Sequence, residues 1–159
     1  MRLPLRSSAG YTFVELLIVV TLLMILASAA MPLVRVTVRR QKEAELRQTL
    51  REVRGAIDRY KDAADRGVIS RLSVRQGSEG YPPDLKTLVE GVPRANDASG
   101  VPFKLLRRIP RDPIMNSTDW GLRSYQDAPD ATTWGGQNVF DIYSKADGRG
   151  LDGIPYREW

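Results

Sequence analysis

Two stretches of this 159-residue chain place acidic side chains where they could do chemistry. The first centres on Glu15, which stands in a run from Tyr11 to Val34 whose other residues are almost all apolar or small. A helix rises ~1.5 Å per residue, so about twenty such residues cross a bilayer core. A carboxylate in that core costs about 2.5–3.5 kcal/mol on insertion scales, so it calls for a partner and marks a functional position. The second stretch is Ser144–Gly153, where Asp147 and Asp152 stand among Gly148, Gly150 and Gly153. Glycines allow the backbone angles that turn oxygens inward, and calcium takes about 6–8 oxygens from carboxylates and carbonyls. The same spacing also suits an ordinary surface turn, where Asp-Gly pairs are common.

The rest of the sequence offers little reactive chemistry. Cysteine and histidine are absent, which removes disulfides, the commonest metal ligand and the commonest general base. Neither a G-x-S-x-G elbow nor a phosphate-binding loop occurs, so an enzyme is not expected. The formal charge of +5 arises from 24 basic and 19 acidic residues. Without a basic groove interleaved with aromatics, nucleic acid is not an expected partner.

Three readings of the N-terminus compete. A plain membrane anchor accounts for its length but leaves Glu15 unexplained. A secretory signal peptide accounts for Arg2, Arg6, the apolar core and the small residues Ala27-Ser28-Ala29, yet such cores usually span about 7–15 residues and carry no acid. The third reading uses every feature: Gly10-Tyr11-Thr12-Phe13-Val14-Glu15-Leu16-Leu17 resembles the class III signal of type IV prepilins and type II secretion pseudopilins. The resemblance implies a leader of residues 1–10, cleaved between Gly10 and Tyr11 by a prepilin peptidase that also methylates the new N-terminus. It implies that Glu15, fifth in the mature chain, meets the amine of Tyr11 on a neighbouring subunit. It also makes Pro32 the helix-weakening proline of the assembly helix. Tyr11 stands where Phe or Met is usual. The cations Arg35, Arg39, Arg40 and Lys42 would by the positive-inside rule put the C-terminal side in the cytoplasm. The resemblance implies the reverse: a single-pass inner-membrane protein with its C-terminal domain in the periplasm.

The elements that must carry these residues can be read along the chain. Residues 11–33 read as a membrane-crossing helix, which the resemblance makes the polymerisation helix, and residues 34–159 as the domain that the resemblance places in the periplasm. The helix continues to about residue 65, because Leu46, Leu50, Val53, Ile57, Tyr60 and Ala64 recur at spacings of three and four. Lys42, Glu45, Arg51, Arg54, Arg59 and Asp62 occupy the opposite, solvent-facing side. A second helix over about 84–90 opens at Asp84, presents Leu85, Leu88 and Val89, and ends at Gly91. Leu122–Tyr125 and Val139–Tyr143 read as strands of a small antiparallel sheet of three or four strands within about 101–159. The fold class is α+β: a long N-terminal helix packed on a small C-terminal sheet, as in the type IV pilin-like fold.

The C-terminal half resembles, in outline, the type II secretion major pseudopilins (the general secretion pathway protein G family). Ile109-Pro110-Arg111-Asp112-Pro113 is similar to a stretch that opens their sheet, although Trp120-Gly121 arrives only after an inserted segment, 114–119. Phe140-Asp141, Ser144, Ala146-Asp147-Gly148, Asp152 and Trp159 match, in order, the pattern around their calcium loop. The resemblance implies calcium as cofactor, held by the carbonyl of Ser144 and the carboxylates of Asp147 and Asp152, in a loop shorter and less acidic than usual. The expected function is a structural subunit of a type II secretion pseudopilus, a homo-oligomeric helical filament that drives protein export through the outer membrane. Its partners would be prepilin peptidase, the minor pseudopilins and the inner-membrane assembly platform. Two alternatives stand beside it: a type IV pilin for adhesion, motility or DNA uptake, and a monomeric signal-anchored periplasmic binding domain.

Overall fold

The structure, a computed structural model, describes residues 11–95, 97 and 100–159, and the side chains of all of these except 29–33 and 71. The leader and Gly10 therefore lie outside the described residues, as does the side chain of Pro32. Helix α1 spans Phe13–Asp65, and the chain divides into two compact units, Met1–Arg40 and Gln41–Trp159.

In the first unit, Thr12 starts the helix. Its carbonyl accepts from Leu16 N–H at 3.1 Å and its hydroxyl accepts from Glu15 N–H at 3.3 Å. The first is the opening bond of the helix, and the second satisfies one of the donors that a helix start otherwise leaves open. The apolar side chains from Phe13 to Leu26 are exposed.

The second unit is built on the amphipathic part of α1. Leu46, Leu50, Val53, Ile57 and Tyr60 are at most 1 % exposed, and burial of each of the four aliphatic side chains is worth about 1.5–3 kcal/mol. Ala56 and Ala63 widen the stripe, and Ala64 lies half-buried at its edge. Against this face pack Ile69, Leu88, Leu106, Trp120, Val139, Ile142 and Tyr156. Helix α2 (Leu85–Glu90) starts at Asp84, whose carboxylate accepts from Thr87 N–H at 2.7 Å. It ends at Gly91 with φ +86°, where a Cβ would lie 3.0 Å from the Phe103 carbonyl oxygen.

The sheet is smaller than the sequence pattern implies. It has two antiparallel strands, β1 (Gly121–Arg123) and β2 (Asp141–Tyr143), in the register Gly121↔Tyr143, Leu122↔Ile142 and Arg123↔Asp141. Elsewhere the chain makes isolated bridges such as Val92↔Phe103 and Asp112↔Ser117. Pro102, Pro110 and Pro113 lack the N–H a ladder needs, which keeps those bridges from extending. Gly121 is required by packing, since a Cβ there would lie 2.3 Å from the Tyr143 ring.

Two loops are organised by acidic side chains. The inserted segment folds into a tight turn, in which Asp112 N–H donates to the Ser117 carbonyl at 2.8 Å and Asn116 N–H to the Asp112 carbonyl at 2.7 Å. Asn116 adopts φ +54°, a conformation asparagine tolerates. The turn returns the chain so that the Trp120 indole donates to the Pro110 carbonyl at 3.0 Å. In the loop after β1, the Asp127 carboxylate accepts from Ser124 N–H at 2.7 Å and Gly135 N–H at 3.1 Å. Those two amides, Ser124 first, hold the Asp127 carboxyl below the usual aspartate range. A lowered folded-state value means that its contribution is complete above the ordinary aspartate range and is lost as pH falls through the lowered value. The Ser124 and Gly135 amide proton shifts are therefore expected to titrate together by NMR, with a midpoint below that of a free aspartate. A midpoint at or above the free value would show that the amides do not hold the carboxylate.

Candidate functional site

At the N-terminal segment, Glu15 lies in the first turn of α1 and is exposed, as is Tyr11. The N-terminal end of a helix carries partial positive charge, so an acid is favoured there within a single chain. Thr12, which sequence reasoning passed over, fixes the backbone of this turn through its bond to Glu15 N–H. The T-x-x-E spacing of Thr12 and Glu15 was a legible signal for it, since this is the capping-box pattern. Among the described residues no helix is long and apolar enough to cross a membrane. The expected span continues over 29–33, whose side chains lie outside the description.

The structure treats the three expected calcium ligands unequally. Ser144 is fully buried, and its hydroxyl donates to the Asp112 carboxylate while accepting from Ala146 N–H at 3.1 Å. Asp147 is exposed and lines a cleft of about 640 Å³ with Arg123, Lys145 and Arg157 among its walls. Asp152 lines a different cleft, beside Arg47, Arg54 and Trp159. Both of its oxygens are engaged: Oδ2 by Arg47 Nη2 at 2.5 Å and Oδ1 by Ile154 N–H at 3.0 Å. Among the described residues, no three Asp, Glu, His or Cys side chains group to hold a metal. A hard divalent cation needs several free oxygens turned to one point. The carboxylates here face different clefts and one already carries a guanidinium, so the implied donor set does not fit calcium.

What meets the C-terminal loop is α1. Glu43 is buried, with its two oxygens accepting from Leu151 N–H at 3.1 and 3.2 Å and Oε1 from the Tyr156 hydroxyl at 2.9 Å. The Arg47 guanidinium lies 4.2 Å from the centre of the Trp159 ring. Arg54, expected on the solvent face, instead reaches inward. Its Nε donates to Asp141 at 2.6 Å, and its Nη2 to the Ile142 carbonyl at 3.1 Å and to the main-chain oxygen of Trp159 at 2.6 Å. It belongs at the edge of the apolar stripe, where a long side chain covers core with its stem and bonds with its head. The i, i+4, i+11 spacing of Glu43, Arg47 and Arg54 placed them on one flank of α1, but the partners come from residues about ninety or more positions away.

Residues 5–31 match the family described as the prokaryotic N-terminal methylation motif. That stretch contains Gly10, Tyr11 and Glu15, and it is the signal typical of type IV pilin-like precursors, which a prepilin peptidase processes. No curated protein and no solved structure matches the chain.

Proposed function

We infer that the protein is a structural subunit of a type II secretion pseudopilus, cut after Gly10, methylated on Tyr11, and polymerised through its N-terminal helix. The observation that carries this reading is the methylation motif over residues 5–31 with Glu15 in the first helical turn. A membrane-embedded Glu15 gains its counter-charge when a neighbouring copy brings the amine of Tyr11, and low dielectric strengthens that pairing. The single chain then favours the polymer over the dispersed state. The C-terminal unit, with its long helix on a small sheet, is the surface such a filament displays outside the cytoplasm. The likeness around Ile109–Pro113 and Phe140–Gly148 supports the secretion role over a pilus role, as does the lack of the cysteine pair usual in pilins. This reading assigns the chain no catalysis. Its partners are other copies of itself, the peptidase, minor pseudopilins and the inner-membrane platform.

Mass spectrometry of protein purified from the membrane tests the processing step. An N-terminal N-methyl-tyrosine at Tyr11 is the expected result. A chain beginning at Ala30 would establish secretory cleavage, and one beginning at Met1 a plain anchor; either removes the filament reading.

A further inference from the structure

We propose that the 144–153 loop is closed by the protein's own side chains on α1, with the Arg47 guanidinium holding Asp152 where the resembled family uses a calcium ion. Three residues of α1 anchor the C-terminal segment and carry the inference. Glu43 receives the Leu151 amide and the Tyr156 hydroxyl. Arg47 donates to Asp152 and stacks on Trp159. Arg54 donates to Asp141, the Ile142 carbonyl and the Trp159 main-chain oxygen. The loop also closes on itself: Gly150 N–H donates to the Ile154 carbonyl at 2.7 Å and Gly153 N–H to the Gly150 carbonyl at 2.9 Å.

The charges are arranged for this purpose. A divalent cation neutralises carboxylates that would repel one another when a loop brings them together. Here the loop brings one carboxylate, Asp152, to a helix that already presents a cation, and Glu43 accepts from the Leu151 amide and the Tyr156 hydroxyl. A guanidinium pairs with a carboxylate and stacks on an aromatic face at once, which an ammonium does less well. The fold of the C-terminal segment is thereby independent of calcium outside the cytoplasm. This inference rests on the folded unit alone and holds whether the filament is a pseudopilus or a pilus.

The test uses the full chain in detergent micelles. Its Tm is expected to agree within about 1 °C in excess chelator and in millimolar calcium, whereas a rise of about 5 °C or more with calcium overturns the proposal. Terbium, which substitutes for calcium and is excited by nearby tryptophan such as Trp159, is expected to give no saturable emission. Saturable emission abolished by Asp152→Asn also overturns it. Arg47→Met and Asp152→Asn are each expected to lower Tm by about 3–6 °C. The double variant should lie no more than about 1 °C below the lower single one, because both remove the same pair. Fully additive losses would show that Arg47 and Asp152 act separately and would sink the clasp. Should Arg47→Met fail to fold, the calcium and terbium measurements on the unaltered chain decide the matter alone.

Discussion

Replacing Glu15 by Ala is expected to leave membrane insertion and cleavage after Gly10 intact and to abolish assembly. Insertion should improve, since an uncompensated carboxylate is removed from the apolar run. The capping contacts of Thr12 run to backbone N–H groups, so the helix start survives the change. What disappears is the charge that the neighbouring amine would meet. A charge pair in a low-dielectric setting is strong enough that its loss lowers the association constant on the order of a hundredfold or more. Glu15→Gln keeps the shape without the charge and is expected to behave like Ala. Cross-linking of membranes followed by blotting reads the polymer, and the mobility shift on leader removal reads processing. Filaments at normal abundance in both variants would refute the charge-pair account, while uncleaved precursor in either would show that Glu15 acts at the peptidase.

The largest stability effect is expected at Asp112. Its side chain is 1 % exposed. One carboxylate oxygen accepts from Ile114 N–H at 2.7 Å and Met115 N–H at 3.2 Å, and the other accepts from the Ser144 hydroxyl. The residue thus ties the tight turn after Pro110 to the chain just beyond β2. Asp112→Ala removes three charge-assisted bonds and leaves the buried Ser144 hydroxyl without its acceptor, a loss of about 2–4 kcal/mol. Ser144→Ala removes one of those bonds and the one its hydroxyl accepts from Ala146 N–H, and should cost about 1–2 kcal/mol. Urea unfolding of the full chain in micelles, followed by near-ultraviolet dichroism, gives both values. A loss below about 1 kcal/mol for Asp112→Ala would mean that the turn holds without its acid.

The α1 stripe, the limits of α2 and the N-terminal signal are legible in the order of residues. These depend on residues three, four or five apart, and at that range local geometry fixes what neighbours what. The buried faces of Leu46, Leu50, Val53, Ile57 and Tyr60 follow from spacing alone, as does Asp84 as a cap and Gly91 as a stop. The partners of the charged residues emerge from the packing of distant segments. Arg54 reads as solvent-facing by periodicity because it borders the stripe, and its acceptors at Asp141, Ile142 and Trp159 arrive from a segment that no helical period reaches. Asp152 looks like a metal ligand when its loop is read alone and becomes the partner of Arg47 once that loop lies on α1. A carboxylate's role is set by which charge the fold brings beside it, and that is a property of packing across the chain.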